Sequence, residues 1–90
     1  MTYNDHWYVY IVRCSDNTLY TGIARDLPQR ISEHNEGKRA ARYTRARRPV
    51  TLVYQETAAD RSSAQRREYQ IKQLPPTQKR RLIRQSGGDI

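Results

Sequence analysis

Five side chains in this ninety-residue sequence could together hydrolyse a phosphodiester: two phenols, a guanidinium, an imidazole and a carboxylate. Glu68 is the most telling. It follows Ala64 by four residues and precedes Ile71 by three, so on a helix it joins their inward stripe. A carboxylate in that setting needs a cation, either a basic side chain or a metal ion. Arg30 and His34 are four apart and share one helical face, where a guanidinium can hold a phosphate and an imidazole can move a proton. Tyr10 and Tyr20 sit in segments of β character. Each residue also has a plain use: a surface ion pair for Glu68, a solvated face for Arg30 and His34, strand packing for the tyrosines.

The elements that must position these groups can be read from periodicity and punctuation. Trp7 to Arg13 is β-branched and aromatic, and Thr18 to Ile23 reads as the return strand of a hairpin. A two-residue turn at Asp16-Asn17 would send Tyr10 and Tyr20 to opposite faces. A three-residue turn, Ser15-Asp16-Asn17, sets Val12 opposite Tyr20 and Tyr10 opposite Gly22, with both phenols on one face. The odd loop, with open space at Gly22 across from Tyr10, is favoured, in part because the two tyrosine segments resemble the paired half-motifs of a known family. Asp26 caps a helix with Gln29 at the capping-box position, and Gly37 stops it. Residues 38–48 read as a basic loop or broken helix, and Val50 to Tyr54 as a third strand. A second helix, capped by Asp60 or Ser62, runs to about Leu74, where Pro75-Pro76 ends it. A short basic helix covers about Thr77 to Gln85. The expected fold is α+β, a small three-stranded antiparallel sheet flanked by helices in the order β-β-α-β-α-α. It forms one domain over 1–90, with a core of about 6–84 and a flexible tail at 86–90.

Charge narrows the partners. Seventeen Lys plus Arg against nine Asp plus Glu leave a net charge of +8. A field of that sign attracts polyanions, nucleic acid above all, and Arg matches phosphate geometry better than Lys does. Lys38, Arg39, Arg42, Arg45, Arg47 and Arg48 place six positive charges and no negative one in eleven residues, the expected nucleic-acid-binding stretch. Lys79, Arg80, Arg81 and Arg84 form a second basic group. Tyr43 and Tyr54 are expected to pack, with base stacking as the other use. Cys14 is the single cysteine, which excludes an internal disulfide and a cysteine zinc cage and suits a cytoplasmic location. It is expected to be a small buried hydrophobe, Trp7 a core residue and His6 an exposed strand-edge residue. No secretory leader and no membrane-spanning apolar run are visible.

The whole set resembles the GIY-YIG nuclease family. Tyr8-Val9-Tyr10 matches its first half-motif and Tyr20-Thr21-Gly22 its second. Arg30 lies eight residues after Gly22, His34 four after that, and Glu68 stands in Arg67-Glu68-Tyr69-Gln70-Ile71-Lys72. The run from Lys38 to Tyr54 resembles the small, stand-alone bacterial branch. The resemblance implies a DNA endonuclease with Tyr10, Tyr20, Arg30, His34 and Glu68 catalytic. Glu68 would anchor one Mg²⁺ or Mn²⁺ in a cytoplasmic setting, with DNA repair as a candidate use and specificity either low or borrowed from a protein partner. Tyr10 is the first candidate for general base and Tyr20 the second, with nearby positive charge expected to lower the phenol's pKa. Two departures stand out: Tyr8 where the family has Gly, and no Asn after Glu68. They motivate an alternative, a nucleic-acid-binding module of weak catalysis. A basic RNA-associated protein is a third reading.

Overall fold

The computed structural model describes residues 6–37 and 39–86. Residues 87–90 of the tail expected at 86–90, and the expected phosphate contact at Lys38, lie outside the described residues. The elements are β1 (Trp7–Arg13), β2 (Leu19–Ala24), α1 (Leu27–Glu36), α2 (Arg42–Arg45), β3 (Thr51–Ala58), α3 (Arg61–Lys72) and α4 (Pro76–Gln85). The sheet is antiparallel in the order β2-β1-β3, so β1 is central and carries its neighbours on both sides. The fold is the α+β arrangement that the patterning predicts, with the broken basic segment forming the one-turn helix α2.

The hairpin has the odd loop. Val12 pairs with Tyr20 and Tyr10 with Gly22. The loop closes through Cys14 N–H donating to the Thr18 carbonyl at 2.8 Å, with Asn17 at φ 70°. Asn tolerates that left-handed position better than most residues, and a three-residue hairpin loop requires it. Asp16 fastens the loop by accepting from the Thr18 N–H and hydroxyl.

Alternation along β1 divides the core into two layers. Val9 and Ile11 pack with Val53, Ala64, Ile71 and Ile83, under α3 and α4. Tyr10 and Val12 pack with Cys14, Ala24, Leu27 and Val50, under α1. In β3 a bulge inserts Val53 between the pairs Ile11–Tyr54 and Val12–Leu52. The extra residue lets Val53 and Tyr54 both join the α3 layer while Leu52 joins the α1 layer. Trp7, expected in the core, is only half-buried; it packs against the α3 layer with guanidiniums of Arg25 and Arg61 beside its ring. Cys14 is buried as expected.

The helix ends follow from local chemistry. Asp26 accepts from Gln29 N–H at 3.1 Å and Asp60 from Ser63 N–H at 2.7 Å, each capping its helix. Gly37 ends α1 with φ −87°, so it does not use the left-handed conformation usual for a terminal glycine. Space is the reason for glycine here: a Cβ would lie 2.8 Å from Glu33 Cα.

Gly22 is demanded by the opposing tyrosine. A Cβ there would stand 2.5 Å from Tyr10 Oη and 2.7 Å from its Cζ. Gly22→Ala is expected to force the buried ring aside and cost about 1–3 kcal/mol, with several degrees lost from the melting temperature. Thermal unfolding followed by circular dichroism checks this, and an unchanged melting temperature would show that Tyr10 can give way freely.

Candidate active site

Tyr10 projects from β1 beneath α1, where its Oη lies 2.7 Å from His34 Nε2. His34 Nδ1 lies 2.8 Å from Thr44 Oγ1, and Thr44 donates its hydroxyl proton to the Ala41 carbonyl at 3.0 Å. That last bond determines the direction of the other two. With its one proton spent on Ala41, Thr44 must accept from Nδ1–H. A neutral imidazole then presents Nε2 as an acceptor, so Tyr10 donates its phenolic proton to it. Tyr10, His34 and Thr44 are 1%, 0% and 0% exposed, so water has no place in the chain.

Burial sets the electrostatics. The Tyr10 pKa is pushed up to about 12, first by loss of hydration and further by Tyr20 and Glu68, against the opposing pull of Arg30. This corrects the expectation that neighbouring positive charge would lower it: desolvation outweighs the guanidinium. His34 is pushed down to about 4, again first by burial, with Arg30 and Arg48 adding repulsion and Glu33 opposing. At neutral pH the imidazole is uncharged, as the hydrogen-bond chain requires.

Arg30 is half-buried on the same helix. Its Nη1 donates to Glu33 Oε1 at 3.0 Å and to the Arg39 carbonyl at 2.8 Å, which aims the guanidinium towards Tyr10. Tyr20, on β2, is half-buried with its ring 5.5 Å from that of His34. Its outer face stacks on Tyr43 at 6.0 Å, and the Arg47 guanidinium lies over Tyr43 at 3.9 Å. Arg47 in turn pairs with Asp16 at 3.0 Å, so the hairpin loop and the basic segment brace one another. Tyr43, expected to pack, does so against Tyr20 while remaining 37% exposed.

Glu68 comes from α3, in the layer on the other side of the sheet, between the buried Ala64 and Ile71. Its carboxylate is largely covered, pairs with Lys72 Nζ at 3.4 Å, and lies close enough to raise the pKa of Tyr10. The five expected residues thus come from both helical layers and two strands. Among the described residues no three His, Cys, Asp or Glu side chains gather as a metal cage. A single carboxylate, that of Glu68, suits a hard cation that keeps most of its waters, Mg²⁺ or Mn²⁺, and not a closed zinc site.

The basic stretch divides by use. Arg39, Arg42 and Arg45 are exposed. Arg47 is engaged by Asp16 and Tyr43. Arg48 is turned inward, donating to the carbonyls of Glu33, His34 and Gly37, where it closes the C-terminus of α1. A cation there also meets the negative end of the helix. Sequence reasoning missed Thr44 altogether. Its only signal was a small polar residue in a charged run, which reads as solvent-facing.

The depressed pKa of His34 makes folding pH-dependent. The unfolded imidazole protonates first as pH falls through its ordinary value of 6.5, while the folded one stays neutral down to about 4. The stability tied to neutral His34 is therefore complete above about 6.5 and lost progressively towards 4, on the order of 3 kcal/mol in all. Urea midpoints are expected to fall across that window, and His34→Gln to flatten the fall. An equal slope in both proteins would refute the assignment.

Comparison with known proteins identifies the family. A model of the GIY-YIG catalytic domain matches residues 6–81. The UPF0213 protein of Desulfotalea psychrophila is 61% identical over 80 residues, covering 89% of this chain and 73% of its own. A UPF0213 protein of Staphylococcus epidermidis is 51% identical over 81 residues, covering 90% and 98%. The solution structure of a UPF0213 protein from Bacillus halodurans superposes with a TM-score of 0.60 at 40% identity, covering 92% of this chain and 87% of that one. The chain therefore belongs to the GIY-YIG family, in its small UPF0213 branch.

Proposed function

We propose that the chain is a divalent-metal-dependent endonuclease that hydrolyses DNA phosphodiester bonds. The observation that supports this reading is the cluster of Tyr10, Tyr20 and Arg30 about His34, built on the Tyr10–His34 bond of 2.7 Å, with Glu68 of α3 near enough to act on Tyr10 electrostatically. A divalent cation at Glu68, Mg²⁺ or Mn²⁺, supplies when bound a positive charge beside the phosphate. Arg30, already oriented by Glu33 and the Arg39 carbonyl, stabilises the negative charge that grows on the phosphoryl oxygens. Arg39, Arg42 and Arg45 hold the flanking backbone. Such contacts carry little sequence information, so substrate choice rests on DNA shape or on a protein partner. A lone buried thiol fits a reducing cytoplasm.

The geometry reorders the two phenols. Tyr10 is shielded from water and its proton is committed to His34. Burial holds the phenol above and the imidazole below their ordinary pKa values, so passing that proton to His34 is unfavourable. Tyr20 is the accessible phenol, held between Tyr43 and His34; it gives its own proton to solvent, and the resulting phenolate takes the proton of the attacking water. Tyr10 is a positioning residue: it keeps His34 and α1 in register with the hairpin.

One observation favours the second reading, a binding module of weak catalysis. Lys72 places an ammonium 3.4 Å from the Glu68 carboxylate, where a metal ion would compete with it. Nicking of supercoiled plasmid with and without Mg²⁺ separates the two. Metal-dependent nicking is expected, abolished by Glu68→Ala and reduced about 10²–10³-fold by Arg30→Ala. DNA binding with no nicking at any metal concentration would establish the module instead.

The same assay tests the phenols. Tyr20→Phe is expected to lose most activity with its melting temperature intact. Tyr10→Phe leaves His34 Nε2 without its donor and is expected to lose about 1–3 kcal/mol of stability while retaining more activity than Tyr20→Phe. A stable but inactive Tyr10→Phe would return the base role to Tyr10.

A further inference from the structure

We propose that the cleft between the hairpin loop and α4 holds a phosphate of the DNA strand, gripped by Lys79 and Arg80 on the side of the sheet that carries Glu68. The inference deepens the nuclease reading and rests on it only in taking DNA as the ligand.

The placement of these two cations is unusual for a helix packed on a sheet. Pro76, Lys79, Arg80 and Ile83 recur at the three- and four-residue spacing of one helical face. Ile83 is fully buried in the α3 layer, which makes this the inward face. An amphipathic helix spends such positions on apolar residues. Here Lys79 and Arg80 occupy them half-buried, while Arg81 and Arg84 are exposed. Packing stops short at the start of the helix and leaves a cleft of about 270 Å³, lined by Asn17, Thr18, Leu19, Pro76, Lys79 and Arg80.

No carboxylate answers the two charges. The sequence has no Asp or Glu from 69 to 88. The acid of the hairpin loop, Asp16, is engaged by Thr18 and Arg47. Among the described residues the ion pairs belong to Arg30, Arg47, Arg67 and Lys72, and Lys79 and Arg80 form none. A long cation can lie over apolar surface simply to cover it, as these stems do over Leu19. Two cations facing one cleft also repel, however, and an anion between them relieves that. The cleft is smaller than the roughly 300–1,000 Å³ of a small-molecule site, so a charged group carried on a longer chain fits it better than a free metabolite.

Position ties the cleft to the candidate active site. β2 is an edge strand, and its first two residues face opposite ways. Leu19 lines the cleft with α4, while Tyr20 turns to His34 beneath α1. On the cleft side α3 packs against β2 and carries Glu68. On the other side the basic segment packs on α1 and is fastened to the same hairpin loop by the Arg47–Asp16 pair. A DNA strand passing round this edge at Tyr20 therefore meets the exposed arginines of the segment on one side and Lys79 with Arg80 on the other.

Affinity for a labelled DNA oligonucleotide is measured by anisotropy in EDTA, where no metal-dependent cleavage intervenes, across a salt series. Lys79→Met with Arg80→Met keeps the apolar stems and removes two charges. Arg81→Met with Arg84→Met removes two charges from the exposed side of the same helix. The first pair is expected to weaken binding roughly tenfold or more and to lower the salt slope by about 2, and the second to do much less. Equal losses from the two pairs would overturn the cleft and leave only diffuse attraction. Acetylation of the unaltered protein, read by mass spectrometry, needs no variant to fold. Saturating DNA is expected to slow the acetylation of Lys79 several-fold, and an unchanged rate would overturn the proposal. Tighter cleft-dependent binding of RNA of the same sequence would overturn DNA as the occupant. Cleft-dependent DNA binding without metal-dependent nicking would sink the nuclease reading and leave the cleft standing. Absence of DNA binding with and without Mg²⁺ would remove both.

Discussion

A phenol and an imidazole, both sealed from water, meet at the centre of this small protein, and each is tolerable there only because of the other. A buried polar atom without a partner costs about 1–3 kcal/mol, a large fraction of the stability of a domain this size. The hydrogen bond therefore constrains three elements at once: β1 through Tyr10, α1 through His34, and α2 through Thr44. Gly22 exists to leave room for it, and the three-residue loop exists to place Gly22 opposite Tyr10. What looks in the sequence like a string of catalytic residues is first a solution to a packing problem.

The same constraint explains how a chain with a net charge of +8 folds around so few apolar residues. Several cations are consumed by structure. Arg48 satisfies carbonyls at the end of α1, Arg47 ties the basic segment to Asp16, and Arg67 pairs with Glu56 at 2.8 Å. Tyr54 donates to that same Glu56, so a strand and a helix share one carboxylate. The charge left outward-facing is correspondingly smaller than composition suggests. No helix among the described residues is long and apolar enough to cross a membrane.

Much of this was legible because it is local. The spacing of Tyr10, Tyr20 and Gly22 together with the family resemblance favoured the odd hairpin loop, Asp26 announced its helix by type and position, and of the two caps open for the second helix the structure uses Asp60. The inward placement of Glu68 followed from Ala64 and Ile71. What was not legible depends on distant contacts. The turn of helix at Arg42–Arg45 has no apolar period of its own and is held by Thr44 and by its neighbours. The bulge at Val53 reflects two core layers competing for one strand, which no single segment encodes. The direction of the Tyr10 shift turned on burial against a nearby cation, and composition shows the cation but not the burial. Arg48 reads as one more surface arginine until its three carbonyl partners are seen.

Cys14 ends β1 beside the hairpin loop, buried with Val12 and Val50, and its thiol is pushed above its ordinary pKa chiefly by that burial. Thiolate is the reactive form, so in the closed fold the sulfur is a poor target for oxidants and alkylating agents. Each transient lifting of the hairpin end would expose it. The rate at which a thiol reagent consumes this one sulfur is consequently a clock for the breathing of the very corner that joins the tyrosine hairpin to the arginine-rich segment, set into the chain without any added label.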